Sequence, residues 1–197
     1  MQEILVLYYS QYGAVKKMAD FVARGIESVD GVQARIRTVP PVSPTTEKSQ
    51  DDIPESGAPY VKMEDFKECI GLALGSPTRF GNMAAPMKYL FDQLGGVWAS
   101  GDTINKVAGV FSSTASLHGG QETTLISMML PLFHLGYILL GVPYSEKPLF
   151  TTQGGGTPYG PTHVAGEGSA NLPILDDEKQ LCIALGKRLA ETVKKMA

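Results

Sequence analysis

Three short stretches concentrate hydroxyls, glycines and small residues: "SQYGAV" at 10–15, "SPTRFGNM" at 76–83 and "STASLHGG" at 113–120. None contains the GxGxxG of a dinucleotide fold or the GxxxxGK[ST] of a P-loop. In the first stretch Ser10 offers a hydroxyl, Gly13 permits a tight turn, and a helix is expected to begin near Ala14. Unpaired backbone N–H groups at a helix start, aided by the helix dipole, bind a phosphate with no lysine required. Six residues wrap one terminal phosphate, whereas a dinucleotide pyrophosphate asks for the closer approach that three spaced glycines allow. The loop therefore points to a mononucleotide. Ser10 would serve equally as the N-cap of the following helix.

In the second stretch Pro77 fixes the turn, Thr78 adds a hydroxyl, and Arg79 is the only charge. Phe80 is an aromatic where the chain should be exposed, and Asn82 is placed to cap the next helix. A flat, partly polar ring needs an edge of backbone donors and acceptors and an apolar face, and this loop offers both. Arg79 is suited to stabilising negative charge on a reduced ring; an ordinary surface ion pair is its alternative, and plain packing is that of Phe80. The third stretch adds Ser113, Thr114, Ser116 and the Gly119-Gly120 pair before a helix whose first turn carries Glu122. Ser113 and Thr114 have no His/Asp arrangement and no GxSxG elbow, which argues against a hydrolase.

Loops like these need a scaffold that presents them together. "EILVLYY" (3–9) is the near-continuous apolar run of a strand covered on both faces. Val15, Met18, Ala19, Val22, Ala23 and Ile26 then mark one face of a helix. "QARIRTV" (33–39) alternates as an edge-like strand, "IGLALGS" (70–76) is a third strand, "KVAGVFSST" (106–114) a fourth and "YILLGVP" (137–143) a fifth. Met87, Leu90, Phe91 and Leu94 stripe a helix closed by Gly95-Gly96, which puts Trp98 in a loop. Residues 121–135 read as a helix kinked or split at Pro131, and Leu181, Leu185, Leu189 and Val193 stripe a last one. This alternation predicts an α/β fold, a doubly wound parallel five-stranded sheet in the order 2-1-3-4-5 with helices on both faces. In that order the three loops follow strands one, three and four, at the carboxyl edge where ligands sit.

The 197 residues are expected to form a single domain, 1–197, with two long loop insertions at 40–60 and 153–173. Both insertions, rich in Pro or Gly, are expected on the site's rim or at a subunit contact. A net charge of −3 with scattered cations predicts no nucleic-acid surface. Apolar runs are too short for membrane insertion, and no secretory leader is read at the N-terminus. Cys69 and Cys182 are far apart and read as core thiols in a reducing, cytoplasmic setting. His118 and His163 fall in loops without a ligand pattern, so no metal is expected. Tyr8 and Tyr9, at a strand end, read as packing.

Taken together, "VLYYSQYG", "GSPTRFGNM", "LFDQLGGVWASG", "VFSST…GGQE" and "GGGTPYGPTHVAG" run from about residue 4 to 169 in one order. On these pieces the whole chain resembles the WrbA family of flavodoxin-like NAD(P)H:quinone oxidoreductases. The resemblance implies noncovalent FMN, a hydride taken from NADH or NADPH, and two electrons passed to a quinone by ping-pong turnover, which avoids semiquinone formation under oxidative stress. It also implies a homotetramer whose subunits share each active site. It assigns cofactor binding to Ser10, Gln11, Tyr12, Gly13, Ala14 and Val15; to Pro77, Thr78, Arg79, Phe80, Gly81 and Asn82; and to Ser113, Thr114, Gly119, Gly120 and His134. Arg79 and His134 become the catalytic candidates, the latter also as a proton relay, and Tyr12 and Trp98 the substrate-binding ones. On residue pattern alone, His134 inside an apolar helix would be a core histidine. Two departures stand out: Ala14 replaces the family's usual His, and the third loop is one residue longer and bulkier at Leu117 and His118. The rival readings are a one-electron flavodoxin carrier, which would be more acidic, and a regulatory binding module.

Overall fold

The computed structural model describes residues 2–42, 54, 57–167 and 172–196. Its elements run β1 (Gln2–Tyr8), α1 (Ala14–Glu27), β2 (Val32–Thr38), α2 (Met63–Glu68), β3 (Gly71–Arg79), β4 (Asn82–Met83), α3 (Ala85–Asp92), α4 (Gly95–Ser100), β5 (Val107–Thr114), α5 (Gln121–His134), β6 (Ile138–Leu139), α6 (Pro148–Thr151), β7 (Thr162–Val164) and α7 (Asp176–Met196). The parallel sheet has the order β2-β1-β3-β5-β6, the expected five-strand order. Two short strands lie off this path: β4 turns back antiparallel on β3, and β7 pairs parallel with β5.

The apolar runs explain the layering. Ile4, Val6, Ala73 and Phe111 face one side, where Val15, Met18, Val22 and Ile26 of α1 and Leu181, Leu185 and Leu189 of α7 cover them. Leu5, Leu7, Leu72, Leu74 and Val110 face the other, beneath Met87 and Leu90 of α3 and Leu125, Met128 and Leu132 of α5. Helices α1 and α7 cross in near backbone contact. A Cβ added to Gly25 would stand 2.0 Å from the Ile183 carbonyl oxygen, and one on Gly186 2.0 Å from that of Val22.

Several local expectations need correction. Gly95 and Gly96 do not end a helix; they open α4, because Leu94 and Val97 on either side are buried and hold the turn. Trp98 therefore sits on α4, with its side chain exposed. Asn82 lies in β4 and does not cap α3, whose N-cap is Ala84. Helix α5 is not split: it continues through Pro131 to His134. The fifth strand shrinks to Ile138–Leu139, since β6 pairs only with Val107 and Ala108 while β7 occupies the edge beside Ser112–Thr114. The segment 153–173 thus contributes a strand. Of 40–60, most lies outside the described residues.

The exposed edge, β2, is guarded by charge. Arg35 pairs with Glu3, with Asp65 at 3.1 Å and with Glu68 at 2.8 Å, and Arg37 reaches Asp65 at 3.2 Å. No helix among the described residues is long and apolar enough to cross a membrane. Cys69 and Cys182 are both free and buried, and burial pushes the Cys69 thiol up to about 11.

Candidate active site

The loop after β1 and the carboxyl ends of β3 and β5, expected as loops, converge on one cleft of about 300 Å³, lined by Ser10, Gln11, Tyr12, Ala14, Val15, Pro77, Thr78, Arg79, Ser113, Thr114, Ala115, Ala165 and Gly166. This volume is at the lower end of small-molecule sites.

Its floor is the start of α1. Gly13 is the N-cap at φ 89°, a left-handed conformation in which an L side chain is strained. Among the described residues no side chain caps this helix and no acidic residue lies in its first turn, and its first residues, Ala14 and Val15, line the cleft. Ser10 Oγ is buried and has no hydrogen-bond partner among the described residues. It is therefore no N-cap. A buried hydroxyl without a partner costs about 1–3 kcal/mol, and one aimed beside bare helix amides is a group awaiting an acceptor. That donor set suits a phosphate monoester.

The walls are held by hydroxyl bonds between strands. Ser112 Oγ donates to the Ser76 carbonyl at 2.9 Å, and Ser76 Oγ donates to Pro77 O at 3.0 Å while accepting from Ala84 N at 2.9 Å. Thr124 Oγ1 donates to Thr78 Oγ1 at 2.8 Å, tying the second loop to α5. Gly81 and Gly120 let the second and third loops meet: a Cβ on Gly120 would stand 3.0 Å from Gly81 Cα, and both glycines have positive φ. In the third loop Thr114 Oγ1 donates to Ser116 O at 2.8 Å, and Gln121 Nε2 to Leu117 O at 2.7 Å. Leu117 is exposed and stands outside the lining, so its bulk leaves the cleft open.

Charge enters through Arg79. One of its guanidinium N–H groups donates to Thr78 O at 2.8 Å, and it makes no ion pair among the described residues, leaving the other donors for a ligand. Beside it Tyr9 Oη donates to Gln11 Oε1 at 2.6 Å, and burial pushes the Tyr9 phenol up against the pull of Arg79. Tyr12 stands half-exposed at the mouth. Phe80 is fully exposed at φ 52° and stands outside the lining. Asn82 borders a neighbouring hollow shared with Gln11 and Arg79.

His134 and Trp98 do not reach this cleft in the same chain. They line a second one of about 460 Å³, with Lys88, Phe91, Leu94 and Pro131. Next to it α5 leaves Ile126, Leu130 and Phe133 exposed, an apolar stripe that no described residue covers.

The third loop and the 153–173 segment, expected on the site's rim, also contribute. Ala115, Ala165 and Gly166 join the lining. His163, read as a loop residue, is buried in β7 and paired with Glu178 of α7 at 2.8 Å. A signal for that pair was present: Glu178 falls three, four and seven residues before Leu181, Cys182 and Leu185, on the apolar face of its helix.

Comparison with known proteins agrees with this architecture. The profile of the family described as NADPH-dependent FMN reductase matches residues 4–145. A protein named NAD(P)H dehydrogenase (quinone) from Chromohalobacter salexigens is 41% identical over 204 residues, covering 100% of each chain. Among solved structures, a flavodoxin, WrbA-like protein from Agrobacterium tumefaciens aligns with TM-score 0.68 at 20% identity, over 100% of both chains. A flavodoxin from the domain Archaea aligns at 0.64 and 22%, over 98% of this chain and 99% of that one. At those identities the two structures establish the fold. With the profile match and the full-length relative beside them, the chain belongs to the NADPH-dependent FMN reductase family and has the flavodoxin fold.

Proposed function

We propose that this chain is an FMN-dependent NAD(P)H:quinone oxidoreductase, cytoplasmic and active as a homotetramer. One observation carries the reading: the unpartnered, buried Ser10 hydroxyl beside the bare N-terminus of α1, at the floor of the cleft. These groups would hold the phosphate of FMN, with Gly13 giving the backbone its turn and Gln11 through Val15 wrapping it. Pro77, Thr78 and Arg79 on one wall and Ser113, Thr114 and Ala115 on the other would hold the ring. When bound, FMN supplies the redox chemistry, accepting two electrons from NADH or NADPH and passing them to a quinone in separate half-reactions.

The chain's own part is binding, orientation and charge. Arg79 offers the fixed positive charge that favours an anionic reduced ring. Tyr12, exposed at the mouth, is positioned to contact either substrate. Trp98 and His134 line a different cleft of the chain, so in this reading they serve the cleft of a neighbouring subunit. The exposed stripe Ile126, Leu130 and Phe133 supports such packing, because an uncovered apolar face favours association. His134 would then stabilise negative charge and relay a proton there.

The reading is tested by steady-state oxidation of NADH and NADPH with benzoquinone and without an added acceptor. Quinone-dependent turnover with parallel double-reciprocal lines is expected. A protein that binds FMN yet shows no turnover would be an electron carrier instead.

A further inference from the structure

Ala165 and Gly166 form one wall of the cleft, and what fixes that wall is a buried pair standing outside it. Strand β7 sets Thr162, His163 and Val164 opposite Ser112, Ser113 and Thr114, and Ala165 N donates to Thr114 O at 2.8 Å. The side chains of His163 and Glu178 are each 1% exposed. Glu178 Oε2 accepts from His163 Nδ1 at 2.8 Å and from Leu175 N at 2.9 Å. Its Oε1 accepts from Gly155 N at 2.7 Å and from Val164 N at 3.2 Å. One carboxylate thus ties together the start of the glycine-rich segment, its strand and the approach to α7.

The histidine completes the arrangement. Its Nε2 faces Leu172 O at 3.2 Å, so both ring nitrogens face oxygen acceptors, a pattern met in full only by a ring with N–H at both positions. Among the described residues it is the only basic side chain paired with Glu178. Burial pushes the Glu178 carboxyl up, but the hydrogen bonds from His163 and from the Leu175 and Gly155 amides together hold it below the ordinary carboxylate value. A buried charge of this kind is retained only when paired and fully hydrogen-bonded.

We propose that His163 and Glu178 are a positioning pair for the cofactor: by locking β7 to α7 they hold the Ala165–Gly166 wall against Thr114 and so set the affinity of the cleft for FMN. This rests on the reading that the cleft binds FMN.

The test uses the full chain and two variants, E178Q and H163Q. An amide at 178 must turn its NH₂ toward at least one of the four donors, while a Gln at 163 keeps a donor and loses the charge. The expected result is an FMN dissociation constant raised about tenfold in E178Q and less in H163Q. Without FMN, hydrogen exchange at Gly155, Val164 and Ala165 should quicken in both, while amides of β1 and α1 keep their protection. ¹⁵N spectra of the wild type should show protons on both His163 ring nitrogens. Should E178Q fail to fold, H163Q carries the affinity and exchange readouts. Quickened exchange with unchanged FMN affinity would overturn the positioning role, and unchanged exchange would overturn the lock itself. Absence of FMN binding in the wild type would sink the functional reading instead, a result distinct from either.

Discussion

Two buried polar groups, one in the lining of the cleft and one behind its Ala165–Gly166 wall, are treated differently by the fold. Among the described residues Ser10 Oγ has no partner, and the helix end beside it has no side-chain cap. Glu178, equally shut away, takes the N–H groups of His163, Gly155, Val164 and Leu175. A fold that satisfies one buried group so fully and leaves another open is built around the open one: the first is structure, the second is a socket. The difference also separates what the chain can do alone from what it does with a ligand.

The contrast is broken most severely at the satisfied end. Glu178→Ala leaves an uncompensated buried His163 and three orphaned amides, and should cost about 3–5 kcal/mol of unfolding free energy in urea denaturation. The same group sets an acid limit. Because its folded carboxyl is held below its ordinary 4.5, its contribution is complete above that value and is lost as pH falls through the lower folded one. Wild-type stability should therefore fall on acidification below about pH 4.5, and a Glu178→Gln protein should show a shallower fall over the same range. At the open end the expected change is smallest. Ser10→Ala removes a buried hydroxyl that has no partner among the described residues, so unfolding free energy without ligand should rise by up to about 1–3 kcal/mol and in no case fall by more than about 0.5 kcal/mol. A larger loss would mean that the hydroxyl has an internal partner and the socket is not one.

The sheet and its loops were largely legible because long periodic runs leave few choices. The block Ile4–Leu7 is buried throughout, and the α1 stripe from Val15 to Ile26 has one apolar face, so strand, turn and helix follow in order. Loops at one sheet edge then place Ser10, Thr78, Arg79, Ser113 and Thr114 together. What escaped the sequence was short or set by distant partners. Helix α2 spans only Met63–Glu68 and is anchored by Phe66, too brief to show a period. The slot beside β5 is divided between β6 and β7, segments far apart in sequence, so neither apolar pattern could reveal its length. Gly95 and Gly96 carried a stop signal that the burial of Leu94 and Val97 overrode. Placing Trp98 and His134 relative to the cleft was beyond any single-chain pattern, because their cleft opens elsewhere on the chain.

The claim that a phosphate completes Ser10 and α1 is tested most directly by titrating the cofactor-free protein with FMN and with riboflavin, following flavin fluorescence. The two ligands differ only in the phosphate. Saturable binding of one FMN per chain, at least about tenfold tighter than riboflavin, is the predicted result, the margin matching charge-assisted hydrogen bonds to a phosphate. Equal affinity for the two, or no binding of either, would contradict it.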